Sequence, residues 1–284
     1  MVDMSTKSGP RALINIIGIP TIISIVWLGN WYYFSFIYVV LCLSAIELIN
    51  LSKHQGARPS IIILLLSITA ISINYQLKLD SFDYIFLSTG VIAFSYEIFR
   101  NEKKPLLNIS LVILGHLWIG SMLGSLIVIR NIYDIGLELI FLTLFSVWAC
   151  DSAAFLFGKL YGTKKILPRI SPKKSWIGSI SGLAFGIIIS YWIYYFGPRI
   201  PGYIDFGKLA QVLYPKDIII LGLIYGGVSQ IGDFFESLLK REVGIKDTSN
   251  LLKGHGGVLD RFDSLTVVAP SVYIYISFIM KGNQ

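Results

Sequence analysis

The chain has 284 residues, of which 54% are hydrophobic and only 14% are charged. Soluble domains carry about 25% charged residues, so this composition excludes an ordinary soluble protein and indicates a lipid environment. The net charge of +7 does not indicate nucleic acid as a partner, because the basic residues lie in short loops beside apolar runs, where membrane topology and anionic headgroups account for them.

Apolar runs long enough to cross a bilayer follow one another along the chain. A membrane-spanning helix needs about 20 mainly apolar residues. The runs that meet this requirement lie near 12–29, 31–51, 60–76, 82–99, 106–128, 136–157, 176–197, 216–238 and 262–280. The first run lacks a small-x-small cleavage site and is followed at once by another, so we interpret it as a retained helix. The sequence predicts an all-α, polytopic helical membrane bundle with about nine transmembrane helices.

The distribution of Lys and Arg predicts the orientation of this bundle. If the N-terminus is cytoplasmic, most of the 24 Lys and Arg residues fall in cytoplasmic loops, as is typical of multi-pass proteins. The opposite orientation would reverse this bias. We therefore expect a cytoplasmic N-terminus and a multi-pass protein of the cell (inner) membrane.

The two parts of the chain differ in polarity. Residues 1–130 are apolar runs joined by brief loops, and we interpret them as transmembrane scaffold helices that face lipid. Residues 131–284 contain most of the polar groups at the ends of apolar runs, where charge is costly and typical of function. Glu47 and Glu97 are exceptions in the first part. We interpret each as snorkelling or as pairing with a cation of a neighbouring loop, and not as catalytic.

The segment from Gly232 to Ser264 is dense in charge for so apolar a chain. If 216–240 is one helix, its spacing places Asp233, Ser237, Lys240 and Arg241 on one face. Asp260 and Asp263, three residues apart, share a face at the start of the last apolar run. Three carboxylates on two helix ends could therefore converge on one point.

Such a cluster of carboxylates and cations is typical of a metal–nucleotide site. Carboxylates near lipid stay ionised when a hard cation such as Mg²⁺ compensates them, and the cations among them suit the phosphates that arrive with the metal. The glycines from Gly254 to Gly257 allow backbone N–H groups to approach an anion. His255, within this loop, is equally consistent with a loop hydrogen bond, a phosphate contact or a proton carrier.

A second basic segment precedes the seventh apolar run. It reads Ser171-Pro172-Lys173-Lys174-Ser175-Trp176, and proline fixes the backbone just before a helix start, where an anion is favoured. Lys164 and Lys165, slightly earlier, are better explained as topology signals.

These motifs resemble those of the phosphatidate cytidylyltransferase (CDP-diglyceride synthase) family. Its signature is S-x-L-K-R-x4-K-D-x-S-x2-L-P-x-H-G-G-x2-D-R-x-D, and Ser237 to Asp263 matches every fixed position except Lys253, where proline or glycine is usual. The segment that begins at Asp151 is similar to the family's D-x-x-A-aromatic-x-x-G-basic block. The segment that begins at Ser171 is similar to its S-P-x-K-S/T-W block, although Ile177 stands where a polar residue is common.

The resemblance implies transfer of the cytidylyl group of CTP to phosphatidate, giving CDP-diacylglycerol and pyrophosphate, with Mg²⁺ as cofactor. It leaves open whether a second cation takes part. Membrane lipids are expected partners, a homodimer is one option without a derivable interface, and the active site is expected at the cytoplasmic face.

The resemblance also implies roles for individual residues. The metal ligands are expected to be Asp233, Asp260 and Asp263. The catalytic set joins these aspartates with Lys240 and Arg241. The residues expected to bind substrate are Asp151, Ser171, Lys173, Lys174, Ser237, Lys246, Asp247, His255, Gly256, Gly257 and Arg261.

Three alternative functions fit the sequence to different extents. A transporter is disfavoured because corresponding halves show no pair of Gly- or Pro-broken helices. A CDP-alcohol phosphotransferase is disfavoured because its D-G-x2-A-R-x8-G-x3-D-x3-D pattern is absent. A cytidylyltransferase that acts on an archaeal ether lipid or a polyprenyl phosphate remains open.

Overall fold

The computed structural model describes residues 9–199, 204–249, 251 and 256–282, with backbone only for 9–17 and 282. Within these ranges the chain is helical and contains no β-strand. A β-bridge joins Lys165 to Ser175 in the loop between two helices. The all-α architecture predicted from the sequence is confirmed.

Twelve α-helices cover most of the described residues. They are α1 (Gly9–Leu28), α2 (Asn30–Lys53), α3 (Ile61–Leu77), α4 (Phe82–Phe99), α5 (Pro105–Gly115), α6 (Ser125–Arg130), α7 (Gly136–Tyr161), α8 (Trp176–Phe196), α9 (Gly207–Val212), α10 (Pro215–Leu223), α11 (Ser229–Glu242) and α12 (Leu259–Gly282). Wider π-helical turns join α5 to α6 at His116–Leu123 and α10 to α11 at Ile224–Val228.

Local sequence explains several helix boundaries. The Ser60 hydroxyl accepts a hydrogen bond from the Ile63 N–H at the start of α3, and Ser175 does the same for Gly178 at the start of α8. Each hydroxyl satisfies a donor that the first helical turn leaves without a partner. Pro105 begins α5, where its missing N–H costs nothing. Lys78 ends α3 in the left-handed conformation, with φ of 55°.

Helical segments occupy the positions of all nine predicted apolar runs. Seven of the described segments are long and apolar enough to span a membrane, and two further apolar helices, Gly18–Leu28 and Ile61–Leu77, are shorter. Many large apolar side chains are exposed, among them Phe99, Leu106 and Phe278, as expected of surfaces that face lipid. A multi-pass membrane protein is therefore supported. The count of nine spans and the cytoplasmic N-terminus remain predictions.

The chain forms two compact units. One comprises the helices up to Gly120 together with Ile245–Arg261, and the other comprises Ser121–Gly244 and α12 from Phe262 onward. The first unit thus contains most of the predicted scaffold, without residues 121–130, together with most of the signature loop between α11 and α12.

Apolar side chains fill the core of the first unit. Leu41 and Ala45 of α2 and Leu64 and Ile68 of α3 are fully buried. Gly115 permits a close helix approach, because a Cβ atom at this position would lie 2.7 Å from Leu64 Cδ1. Tight packing of this kind is the main source of helix association in lipid.

Glycines bring the helices of the second unit together. A Cβ atom on Gly186 of α8 would lie 2.7 Å from Gly226 Cα, and one on Gly226 would lie 2.6 Å from the Leu183 carbonyl oxygen. At the start of α8, a Cβ atom on Gly178 would lie 2.6 Å from the Ala154 carbonyl oxygen of α7. Small residues at helix crossings are typical of membrane bundles, since they allow backbones to approach closely.

Candidate active site

The second unit contains a cavity of about 650 Å³ lined by α7, the loop 162–175, the start of α8, and α11. This volume is within the range of about 300–1,000 Å³ found for small-molecule sites. Charged and amide side chains line it, including Asp151, Lys173, Lys174, Gln230 and Asp233. Polar groups of this density in an apolar helical bundle indicate a binding site.

The loop 162–175 places Lys165, Lys173 and Lys174 at this cavity. The Ile166 N–H donates to the Lys174 carbonyl oxygen at 3.2 Å, and the Trp176 N–H donates to the Lys164 carbonyl oxygen at 3.0 Å, so the two ends of the loop are tied together. Gly162 is required at the turn, because a Cβ atom there would lie 2.2 Å from both the Gly158 carbonyl oxygen and the Ser175 hydroxyl.

Lys174 is the central cation of the cavity. Its ammonium group forms an ion pair with Asp233 Oδ2 and lies 4.2 Å from the centroid of the Phe234 ring. A lysine that meets a carboxylate and an aromatic face at once is held by both electrostatic contacts. Lys173, beside it, also lines the cavity and is exposed.

Three aspartates from three helices lie near this cation. Asp151 of α7, Asp233 of α11 and Asp263 of α12 lie close enough for their charges to interact with one another and with Lys174. Gly232 makes the approach of α11 to α12 possible, because a Cβ atom there would lie 2.3 Å from the Asp263 carbonyl oxygen. A cationic group therefore already compensates a cluster of carboxylates in this unit.

Two of the residues predicted to share one face of α11 contact each other. The Ser237 hydroxyl donates to Asp233 Oδ1 at 3.5 Å, as expected for residues four apart. Lys240 is buried and pairs with Glu236 Oε2 at 2.5 Å. Arg241 is exposed, and its Nε donates to the Ile170 carbonyl oxygen at 3.2 Å, which ties α11 to the loop that precedes Ser171.

Gln230 is a cavity residue that the sequence analysis missed. Its Nε2 donates to the Ser179 carbonyl oxygen at 3.0 Å and to the Gly226 carbonyl oxygen at 2.5 Å, while its Oε1 accepts a hydrogen bond from the Ser179 hydroxyl. A glutamine inside an apolar run, three residues before Asp233, was the available signal.

The first unit organises the signature loop around Asp260. Asp260 Oδ2 accepts hydrogen bonds from the Thr248 N–H at 3.0 Å and from the Gly257 N–H at 2.7 Å. Gly256 has φ of 81°, and a Cβ atom there would lie 2.6 Å from Asp260 Oδ2. The glycines of the motif thus allow the loop to fold closely over the aspartate.

Glu47 and Glu97 have different surroundings. Glu97 pairs with Arg100 at 3.3 Å, as predicted. The interpretation of Glu47 as a snorkelling group or as the partner of a loop cation is wrong, because its buried carboxylate accepts hydrogen bonds from neutral donors of the signature loop, among them the Ser249 hydroxyl.

The remaining predicted residues lie in loops or at helix ends. Lys246, Asp247 and Arg261 are exposed in the first unit. Ser171 is partly exposed, and its backbone N–H donates to the Leu167 carbonyl oxygen at 2.9 Å. His255 and Lys253 lie outside the described residues.

The donor chemistry of the second unit fits a hard cation. Carboxylate oxygens are the ligands that Mg²⁺ prefers, and Asp233 and Asp263 supply them beside a cation that already balances their charge. As the side chains stand, no group of three or more His, Cys, Asp or Glu residues within the described part of the chain is arranged to hold a metal ion.

A charged cavity within an all-helical membrane bundle is typical of a membrane protein that binds a polar ligand. The sequence profile of the cytidylyltransferase family matches residues 10–279, and the chain belongs to this family. It is therefore an enzyme, a nucleotidyltransferase.

Three relatives with the same name align with this chain, two of them over nearly its full length. It is 29% identical over 283 residues to a protein of Bacillus subtilis, with 98% of this chain and 99% of that protein covered. It is 30% identical over 277 residues to a protein of Staphylococcus haemolyticus, with 94% of this chain and 98% of that protein covered. A protein of Haemophilus influenzae is 37% identical over 145 residues, which cover 51% of this chain and 48% of that protein. All three are named phosphatidate cytidylyltransferase.

Proposed function

We propose that this protein transfers the cytidylyl group of CTP to phosphatidate, forming CDP-diacylglycerol and pyrophosphate. The observation that carries the proposal is the cavity of the second unit, where Asp151, Lys174 and Asp233 meet within a membrane bundle. Membership of the cytidylyltransferase family supports the reaction class. The names of relatives that align over nearly the full chain support phosphatidate as the acceptor.

The reaction needs positioning and charge neutralisation more than a base. A phosphate oxygen of phosphatidate attacks the α-phosphorus of CTP, the bond from that phosphorus to the bridging oxygen of the β-phosphate breaks, and pyrophosphate leaves. The nucleophile is already anionic, so no side chain is required to remove a proton or to form a covalent intermediate. Fixed cations aimed at the phosphates can supply most of the stabilisation.

The metal ligands in this proposal are Asp233, Asp260 and Asp263. The motif match supports all three, and the oxygen donors of Asp233 and Asp263 support a hard cation. Mg²⁺, when bound, would neutralise phosphate charge as pyrophosphate leaves. The number of cations is left open, since one or two would suit these ligands.

Lysines and arginines would hold the phosphates. Lys173 and Lys174 line the cavity, and we expect Lys174 to exchange its contact with Asp233 for a phosphate oxygen when CTP binds. Lys240, Arg241, Lys246 and Arg261 are included on the strength of the motif. Because Lys240 pairs with buried Glu236, its contribution would include holding the shape of α11.

The lipid acceptor fits a site in a multi-pass membrane protein. Phosphatidate would reach the cavity from the bilayer with its phosphate at the depth of the headgroups, while CTP would come from the cytoplasm. This arrangement requires the cytoplasmic orientation that the loop charges predict. A homodimer is compatible with the proposal but is not required by it.

Label transfer tests both substrates directly. Purified protein in detergent would receive CTP labelled at the α-phosphate, Mg²⁺ and one of three acceptors: phosphatidate, an archaeal-type ether-lipid phosphate or a polyprenyl phosphate. We expect label to enter the lipid fraction with phosphatidate and far less with the others. Preferential labelling of another acceptor would contradict the assignment of phosphatidate, and no lipid labelling by protein that binds CTP would contradict the reaction.

A further inference from the structure

Glu47 is a buried carboxylate for which the family motif has no role. It lies in the last third of α2 and is 3% exposed. Its Oε1 accepts hydrogen bonds from the Ser249 hydroxyl at 2.6 Å and the Val258 N–H at 2.8 Å. Its Oε2 accepts from the Thr248 hydroxyl at 2.9 Å and the Leu259 N–H at 2.8 Å.

These four hydrogen bonds hold two separate stretches of the signature loop. Thr248 and Ser249 lie near its beginning, whereas Val258 and Leu259 lie at its end, where α12 starts. The first N–H groups of a helix have no intrahelical acceptor and favour a negative charge. Glu47 therefore closes the loop and caps α12 from a helix that is distant in sequence.

Thr248 connects Glu47 to Asp260. The Thr248 hydroxyl lies 2.9 Å from Glu47 Oε2 and 3.0 Å from Asp260 Oδ2. A hydroxyl has one hydrogen to donate, so it donates to one carboxylate at a time while backbone N–H groups continue to bind the other. Displacement of Thr248 or of the start of α12 would therefore move the Asp260 carboxylate.

The chemistry of the site requires a carboxylate at position 47. A buried carboxylate is stable only when its oxygens accept several hydrogen bonds, and here each oxygen has two donors within hydrogen-bonding distance. An amide of the same shape would turn one oxygen into an NH₂ group that faces a hydroxyl and a backbone N–H. The backbone N–H would then face a donor and lose its hydrogen bond, and the hydroxyl would keep a hydrogen bond only by turning to accept from the NH₂ group.

We propose that Glu47 is a positioning residue for cytidylyl transfer. It fixes the position of the Asp260 carboxylate through Thr248 and the first turn of α12. The inference rests on the proposed function, in which Asp260 is a metal ligand. Residues that orient metal ligands change metal affinity or activity by roughly 10–100-fold when they are replaced. Glu47 would be such a residue, supplied by the part of the chain that lies outside the family motif.

The first test is the Mg²⁺ dependence of Glu47→Gln. We expect the Mg²⁺ concentration for half-maximal activity to rise by roughly 10-fold or more, whereas the KM for phosphatidate stays close to that of the wild type. Glu97→Gln is the matched control, because Glu97 is another buried glutamate near a helix C-terminus but contacts Arg100 and Asn108. We expect its Mg²⁺ requirement to be unchanged.

Two substitutions of Thr248 test the proposed connection. Thr248→Ser keeps the hydroxyl and should retain a Mg²⁺ requirement close to that of the wild type. Thr248→Val keeps the shape but removes the hydroxyl, and should shift the requirement in the same direction as Glu47→Gln. An unchanged Mg²⁺ requirement in Glu47→Gln, with only a lower melting temperature, would show a purely structural role and overturn the proposal.

Hydrogen exchange separates this inference from the proposed function. In Glu47→Gln the amides of Val258 and Leu259 should exchange faster, while those around Asn108 should not change. If the wild type failed to use CTP and phosphatidate, the proposed function would fall, yet faster exchange would still show that Glu47 holds the loop. Unchanged exchange at Val258 and Leu259 would overturn the inference whatever the activity.

Discussion

The residues that matter most for the proposed function are charged side chains of opposite sign that lie close together in the second unit. Lys174 contacts Asp233 and lies near Asp151 and Asp263. Removing one partner from such a group is costly, because the remaining charges stay in an apolar bundle without compensation. Lys174, which balances the charge of the aspartates, also lines the cavity and can bind a phosphate there.

We expect Lys174→Met to impair CTP binding and turnover. A hydrogen bond to a charged group contributes about 1.5–3 kcal/mol, so kcat/KM for CTP should fall by roughly 10–100-fold. Lys164→Met is the matched control, because it removes the same charge from the same loop at an exposed position and should have little effect. Steady-state kinetics with varied CTP would check this, and equal kcat/KM values for the two variants would contradict it.

The sequence identified charged residues more readily than neutral ones. Asp233 and Ser237 are in contact as their spacing predicted. Gln230 and the role of Glu47 were missed, since their function depends on partners far away in sequence: Ser179 contacts Gln230, and Val258 contacts Glu47. Periodicity describes one helix at a time and carries no information about such contacts.

Among the helices, the main feature of the second unit is the close contact between α8 and the π-helical turn at Ile224–Val228. Gly186 of α8 packs against Gly226, which lies in the π-helical turn between α10 and α11. The sequence predicted one continuous helix over this region, and hydrophobic periodicity gave no sign of the turn. Such turns often lie near functional sites, and this one is followed by Gln230 and Asp233.

We expect Gly186→Ala to destabilise the protein. The new Cβ atom would lie 2.7 Å from Gly226 Cα, and overpacking of this kind costs about 1–3 kcal/mol. Gly90→Ala is the control, because a Cβ atom there would meet no other part of the protein within 4 Å beyond its chain neighbours and its own helix backbone, and alanine favours a helix. Thermal unfolding in detergent should show a lower melting temperature for Gly186→Ala only. A melting temperature equal to that of the wild type would contradict the packing argument.

For the whole molecule, hydropathy predicted the helices well. All nine apolar runs correspond to helical segments, and seven of the described segments have the length and apolar character that a bilayer requires of a span. Hydropathy could not show that residues 245–261 belong to the same compact unit as the N-terminal helices. That arrangement depends on polar contacts such as those of Glu47, which hydropathy does not describe.

The orientation in the membrane can be tested by cysteine labelling. On a background without Cys42 and Cys150, Lys103→Cys in the loop before α5 should react with an impermeant reagent only after cells are permeabilised. Asp205→Cys, in the loop before α9, should react in intact cells. Both positions are exposed, so a difference would report the side of the membrane. The reverse pattern would contradict the cytoplasmic N-terminus and the cytoplasmic site.

The most direct test of the proposed reaction is release of pyrophosphate by purified protein in detergent with CTP, phosphatidate and Mg²⁺. We predict that turnover requires all three, stops with EDTA, and falls roughly 10²–10³-fold in Asp263→Asn, the range for loss of one group that stabilises transition-state charge. Asp83→Asn, at an exposed site in the first turn of α4, should retain normal turnover. Equal turnover in Asp263→Asn, or release of pyrophosphate without lipid or metal, would contradict metal-assisted cytidylyl transfer to phosphatidate.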